Sequence, residues 1–544
     1  MIPYKALHHL LFFTLFFLLP LSSHGQKNDY SIELEALDIQ EVGGLQSYAF
    51  GQSDGKWLII GGRLDGLHRR QPFAAFDEAG HNRTLMVIDP IQKKKWTSET
   101  DQLPIAISEQ LHSTNMQFFQ DGNHLILVGG YGITAQKKEH VTYDRLTVVQ
   151  VRECIDAIIQ KKPIESYFKQ ISAPFLAVTG GKLSRIDQRF YLIGGHLFEG
   201  QYNPMGPENG PGFIQEYSNS IRSFQLLQTA KGPKIEDYQE VRDTVLLHRR
   251  DYNMLPQMTP NGEEALQLFS GVFQYEVDLP YHSTVFIDSK KHQKTPGFRQ
   301  FYSHYHCPVI PIYSSNKGEM HHLFLGGIAH YYDSSGVLVQ EENVPFVRSI
   351  SRIIRNRDGR QAEFLFKDQM PALLGAGGEF ILAADVPKYR NGVIKMDELR
   401  DGQLLGYIYG GIASTEKNIL FFHDEGNMSQ ASKSIFKVLF RKNPETQTWT
   451  FNPSSTSPFN LELFPRAHRK KLDVSFQLQE SVPIQITIKD EQGKIRGKYR
   501  KKNPLGSGSH ELSLRIRKMD YGSKYHVYIQ AGKTSYERIL IVED

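Results

Sequence analysis

The chain of 544 residues has only two cysteines, Cys154 and Cys307, which excludes a scaffold stapled by disulfides. It also lacks a charge bias: 63 Lys and Arg stand against 59 Asp and Glu, a formal net charge of +4, with no long basic run. Nucleic acid is therefore not the partner that charge selects. After the N-terminus, no further apolar run is long enough to cross a bilayer. Three chemical signatures are missing as well: a P-loop, a His-Glu-x-x-His pair and a Gly-x-Ser-x-Gly elbow. What remains is a globular composition, 40% apolar and 11% aromatic with 45 Gly and 26 Pro. The length allows several ordinary domains or one large closed β architecture with a smaller companion.

The N-terminus carries Lys5, an apolar run from Leu10 to Leu19, the breaker Pro20, and the small residues Ser22, Ser23 and Gly25. That order describes a secretory signal peptide over residues 1–25, with cleavage expected near Gly25 and Gln26. A membrane anchor is the alternative, disfavoured by the shortness of the run. The expected location is secreted or outer-membrane surface, reached through the periplasm. No transmembrane segment is expected after cleavage.

The last 80 residues alternate with a period of two: Val474, Phe476 and Leu478; Ile484, Ile486 and Ile488; Leu512, Leu514 and Ile516; Tyr525, Val527 and Ile529; Ile539 and Ile541. Glycine-bearing turns at Asp490–Gly493 and at 531–533 separate some of these runs. Such runs read as six or seven half-buried antiparallel strands forming a small sandwich over 471–544, after a linker at 456–470. Phe464-Pro465, the segments 482–499 and 506–514, and the terminal 521–542 resemble the C-terminal sorting domain of the type IX secretion system of Bacteroidetes. The resemblance implies an Ig-like fold and the type IX secretion machinery as a partner. An Ig-like accessory domain with no export role is the alternative.

Between the two ends lies a repeat. Six apolar strands end in a pair of small residues, with final glycines at 62, 130, 195, 271, 327 and 411, spaced on average about 70 residues apart. Each is preceded by a strand and a polar hairpin turn, such as Asp54-Gly55 and Asp121-Gly122. In the first and last copies a further strand runs into Asp89-Pro90 or Asn443-Pro444, followed by Trp96 or Trp449. This pattern resembles the kelch repeat, which implies a β-propeller of four-stranded blades around a central channel. Six copies imply an all-β chain with a six-bladed kelch-type propeller over 43–455, preceded by a strand and linker at 26–42. Its strand at 31–37 is a candidate to close the ring against the last blade. Insertions are expected at 136–171, with a helix over 151–160, and at 198–217 and 387–403. Cys154 and Cys307 then fall on opposite blades, too far apart to bond.

In that architecture the residues before each first strand and after each glycine pair emerge together at the channel mouth. They are Arg63, Asp65, His68 and Arg69; His112, Asn115 and Tyr131; His196, Glu199 and Tyr202; Arg249, Arg250, Asp251, Tyr252, Gln274 and Tyr275; His304, His306, His330 and Tyr331; and Glu379. Arg forks, Tyr rings and carboxylates suit a polar ligand, here a glycan or a protein. A merely solvated mouth is the alternative. His304 and His306 alternate and would share one side of a strand, but two histidines do not make a metal site. Galactose oxidases share the kelch fold and use a Tyr-Cys crosslink; Tyr305 and Cys307 are close in sequence, yet the other copper ligands are missing, so no cofactor is expected. Binding without catalysis leads. The alternative is a carbohydrate-active enzyme, mutarotase- or epimerase-like or hydrolytic, with Arg249 or Arg250 as anion clamp and Glu199, Asp251 or Glu379 as acid/base. A carboxylate buried beside a histidine at the mouth would favour it.

Overall fold

A computed structural model describes residues 30–442 and 461–542, apart from short stretches at 70–73, 204–205, 207–209, 211, 231, 335–336, 422–426, 467–469, 479–480, 518–522 and 533. The signal-peptide segment, Asn443-Pro444 and Trp449 lie outside the described residues. The chain is all-β, and none of its described helices is long and apolar enough to cross a membrane.

Six sheets follow one another along the chain, antiparallel except where Ile394–Lys395 joins the fifth in parallel. The first runs through Ala49–Ser53, Lys56–Ile60, Thr84–Asp89 and Lys94–Glu99. The next four lead with Gln117–Asp121, Lys182–Ile186, Asn253–Met258 and Val309–Ser314. The sixth comprises Gly378–Leu382, Gln403–Gly410, Ile435–Lys442 and, outermost, Tyr30–Ala36 from the start of the described chain. The first hairpin turns at Asp54 and Gly55, with φ of 51° and 75°. Two positive φ values match the right-handed twist of the strands they join, and Asp-Gly tolerates them.

Backbone hydrogen bonds close these sheets into a cycle. The N–H of the residue leading into each inner strand donates to its counterpart in the preceding sheet: Asn115 to Ser47 (3.1 Å), Gly180 to Asn115 (3.4 Å), Asp251 to Gly180 (2.7 Å), His306 to Asp251 (2.8 Å), Gly377 to His306 (3.0 Å) and Ser47 to Gly377 (2.7 Å). A second set uses the repeated glycines. The N–H groups of Gly62, Gly130, Gly195, Gly271, Gly327 and Gly411 donate to the carbonyls of Ser113, Val178, Arg249, His304, Leu374 and Leu45. Glycine is required because the backbones approach so closely. A Cβ on Gly129, at φ 64°, would lie 1.9 Å from the Val178 carbonyl oxygen, and one on Gly410 2.2 Å from that of Leu45. The small-residue pairs of the sequence are thus the hinges that fasten each sheet to the next.

Apolar side chains fill each gap between neighbouring sheets. Trp57 and Ile59 of the first sheet pack with Ile381, Tyr407 and Tyr409 of the sixth. Leu58, Ile60, Leu85 and Val87 face Leu125, Leu127 and Val149 of the second. The helix Val151–Ile159 covers this second gap, burying Val151, Cys154, Ile155 and Ile158 on one stripe of period 3.6. Cys154 and Cys307 are both unpaired and buried in separate clusters.

The C-terminal part contains two sheets around one core. Glu462–Arg466, Lys471–Leu478 and Gly508–Arg515 form one; Val482–Asp490, Ile495–Leu505, Ser523–Ala531 and Thr534–Val542 form the other. Val474, Phe476, Ile484, Ile486, Ile488, Val527 and Ile529 fill the space between them. The first of these strands lies inside the stretch expected as a linker, and pairs Phe464 with Asp473. A hairpin from the fifth repeat, Tyr331–Ser334 and Val337–Glu341, extends the second sheet by lying parallel to Thr534–Val542.

Candidate binding site at the axis of the cycle

The hydrogen-bonded cycle fixes which side chains reach its axis. Asp251 and His306 belong to the cycle itself, while Lys182 and Glu379 stand at the first and second positions of their inner strands. Together with Ser47 and Asn115 they line a cavity of about 20 Å³, room for about one water. His306 Nε2 lies 2.9 Å from Glu379 Oε1, with the two side chains only 15% and 13% exposed. Arg250 pairs with Asp251 beside it. Burial lowers the Lys182 amine from its usual range, partly offset by the negative charges of Glu379 and Asp251. One ion pair, a close His–Glu contact and a partly buried lysine therefore meet where the field is screened least.

Aromatic rings frame this cluster. Arg250 Nε donates to the Tyr217 hydroxyl at 3.2 Å, and its guanidinium lies 5.0 Å from the centre of the Phe273 ring. Tyr217, His248 and Tyr275 stack with centroids 3.8 and 3.7 Å apart. On the first-sheet side, His68 meets Tyr202 and Phe76, and Phe76 meets Tyr131. Burial, reinforced by the charges of Arg250 and Arg63, pushes His68 down to about 4 even though a hydrogen bond to the Arg69 backbone opposes it. Burial and the charge of Arg250 hold His196 well below the usual histidine range, and its Nδ1 lies 2.7 Å from the Gln215 amide nitrogen. These imidazoles are neutral hydrogen-bonding groups at physiological pH.

The other residues named from sequence lie elsewhere. Arg249 is fully buried, donating to the carbonyls of Leu246, Ser270 and Ser283 and to the Ser283 hydroxyl. Tyr252 is buried and donates to the Ile193 carbonyl at 2.6 Å. Arg249 and Arg250 point to opposite sides, and the left-handed Asp251, at φ 52°, interrupts the alternation, so Tyr252 enters the gap between sheets as Arg249 does while Arg250 reaches the mouth. His304 and His330 are buried near Arg299, away from His306. The 301–308 segment is not a strand and Ser303 has φ 54°, so the expected alternation of His304 and His306 does not occur. His112 caps the helix Ile105–Leu111 and contacts the Thr100 hydroxyl. Arg63 is buried, pinned by Asp65 and by the Asp77 carbonyl at 3.1 Å. Glu199 is exposed at the end of its strand. Of the predicted residues, Arg250, Asp251, His306 and Glu379 converge at the axis. Lys182 escaped the sequence reading, although it follows Gly180-Gly181 just as inner strands elsewhere follow their lead-ins.

No protein-family model matches the chain, and no curated protein matches it. Among solved structures, one titled "Structure of YjhT" matches with a TM-score of 0.40 and 9% identity, covering 73% of this chain and all of that one. A likeness of that strength carries no argument about function.

Proposed function

We propose that the chain is an exported six-bladed kelch-type propeller whose axial mouth binds a polar group of a glycan or protein, followed by an Ig-like module of the type IX sorting kind. The observation that carries the binding reading is the meeting of Arg250, Asp251, His306, Glu379 and Lys182 at the axis. Half-buried charges cost desolvation energy, and a fold retains them where they meet a ligand. The axial cavity is too small for a sugar ring, so the ligand rests on the aromatic frame and inserts one hydroxyl or carboxylate. A thermal-shift panel of glycans and metabolites on the full chain tests this, repeated with Arg250→Ala. A ligand that stabilises both proteins equally would refute the assignment.

A second reading has its own observation: Glu379 is a largely buried carboxylate beside His306, the pairing expected of an acid/base. A carbohydrate-active enzyme requires that Glu379→Gln retain ligand binding and lose turnover. For export, deletion of residues 465–544 should leave the protein in the periplasm; normal surface delivery of that truncation refutes the sorting role.

A further inference from the structure

One side chain of the axial cavity offers chemistry that binding alone does not use. We propose that Lys182 captures the aldehyde of an open-chain reducing sugar as a reversible imine at Nζ. The assignment rests on the axis being a glycan site and names the group that enters it.

Lys182 is the one lysine among the described residues that line this cavity. Its own strand places it there: it opens Lys182–Ile186, pairs with Ile193, and follows Gly180, whose φ is 64°. The carboxylates around it are engaged with other partners. Asp251 pairs with Arg250, and its Oδ1 sits so close over Gly180 that a Cβ there would come within 2.8 Å of it. Glu379 Oε1 lies 2.9 Å from His306 Nε2. Both carboxylates act on the lysine only at a distance, and among the described residues none forms an ion pair with it.

An ammonium in such a place loses hydration that no contacting counter-ion returns. Burial accordingly lowers the amine from its usual range. That raises the fraction with a free lone pair, which is the nucleophilic form of lysine and the one that makes imines with carbonyl compounds. Lys182 is nevertheless partly exposed, so the side chain stays within reach of a ligand at the mouth.

Space decides which carbonyl enters. A cavity of about 20 Å³ holds one water-sized group, which admits a terminal carbonyl and excludes a pyranose ring. The sugar therefore enters ring-opened, aldehyde first. Its remaining carbons lie toward the aromatic frame, where Tyr275 is 59% exposed and stacks on His248 at 3.7 Å, offering an apolar face with a polar tip. In the step itself the Nζ lone pair bonds to the carbonyl carbon while the C=O electron pair moves to oxygen. Both amine hydrogens and that oxygen then leave as water, so the step needs no oxidant or further reactant, and water reverses it. His306 and Glu379 stand on the same cavity wall to relay the hydrogens.

Borohydride trapping on the full chain tests the capture. With D-glyceraldehyde as the probe, reduction should fix a secondary amine on the peptide that carries Lys182, about ten-fold faster than on the exposed Lys93 and Lys94. Lys182→Arg keeps the charge and loses the nucleophile, so the fast adduct should vanish; a fast adduct that survives in this variant belongs to another residue and overturns the assignment. Should Lys182→Arg not fold, peptide mapping of the parent chain decides by itself, because labelling of Lys182 no faster than that of Lys93 and Lys94 also overturns it. Methyl glycosides and alditols, which cannot form an imine, separate this inference from the binding function. If they stabilise the parent chain through Arg250 and Lys182 is not labelled ahead of the exposed lysines, the imine fails and the glycan site stands. Absence of both responses removes the two together.

Discussion

His306 and Glu379 come from neighbouring sheets, yet His306 Nε2 lies 2.9 Å from Glu379 Oε1, and the same cavity wall carries the Lys182 amine. The backbone cycle makes this meeting possible: the His306 N–H donates to the Asp251 carbonyl and its own carbonyl accepts from Gly377, which places His306 at the axis beside the sheet that carries Glu379. Charge is thereby concentrated at the axis, where a packed apolar plug would stabilise the fold better.

That comparison gives a stability test of whether the axis serves a ligand. Lys182 has no carboxylate within ion-pair distance among the described residues, and burial already lowers its amine. Lys182→Met should leave the fold intact and raise its stability by about 1 kcal/mol or more, while weakening whatever the axis binds. Urea midpoints and the ligand panel read the two effects separately. A destabilised Lys182→Met would mark the residue as structural.

Arg249 and Arg250 are adjacent in sequence and opposite in consequence. Removing the Arg249 guanidinium strands three buried carbonyls and a hydroxyl, so Arg249→Ala should cost about 3–5 kcal/mol. Arg250→Ala should cost about 1–2 kcal/mol, because Asp251, 23% exposed, recovers water. Denaturant unfolding of the two variants should therefore separate them clearly. Equal losses would contradict the division of labour between fold and mouth.

This contrast also marks how far the sequence could be read. The period-two runs and the glycine pairs carry physical requirements, a buried face and a close backbone approach, so the six strand pairs and the C-terminal strands were legible from residue type alone. The glycines named from the repeat are the residues whose N–H groups fasten one sheet to the next. The mouth was only partly legible. An extended lead-in sends alternate side chains to the axis and to the gap between sheets, and which parity wins depends on where left-handed residues such as Asn115 and Asp251 rotate the chain. Lys182 was missed because a single lysine after Gly-Gly carries no pattern. The joining of the hairpin 331–341 to the last strand involves partners two hundred residues apart and leaves no local mark.

Acidification should weaken the whole fold in a defined window. Burial is the largest influence on His81, His304 and His321, pushing them down to about 3, 3 and 4. In the unfolded chain they titrate near 6.5, so below that pH the unfolded state binds more protons than the folded one. Their contribution to stability is constant above about pH 6.5 and is lost as pH falls toward their folded values, by at most about 1.4 kcal/mol per histidine per unit. Urea midpoints should be flat from pH 7 to 8 and decline from 6.5 to 5. His321→Gln should reduce the slope while weakening the contact between His321 and the Tyr30 hydroxyl. A slope unchanged by that substitution would remove His321 from the account.

The glycines at the sheet junctions offer the sharpest test of how the cycle is fastened. Gly129 has φ 64°, and a Cβ there would lie 1.9 Å from the Val178 carbonyl oxygen, next to the Gly130 N–H that bonds it. Gly129→Ala must either push the third sheet's lead-in away or leave this bond broken, at a cost of about 3 kcal/mol or more. Gly55, at φ 75° in the first hairpin turn, has open space around its missing Cβ. Gly55→Ala therefore pays only for the left-handed backbone, about 1–2 kcal/mol. Both substitutions remove a glycine at similar φ, so the difference between their unfolding free energies isolates the steric contact between sheets. A Gly129→Ala variant no less stable than Gly55→Ala would mean that the glycine pairs serve the turn alone and not the junction.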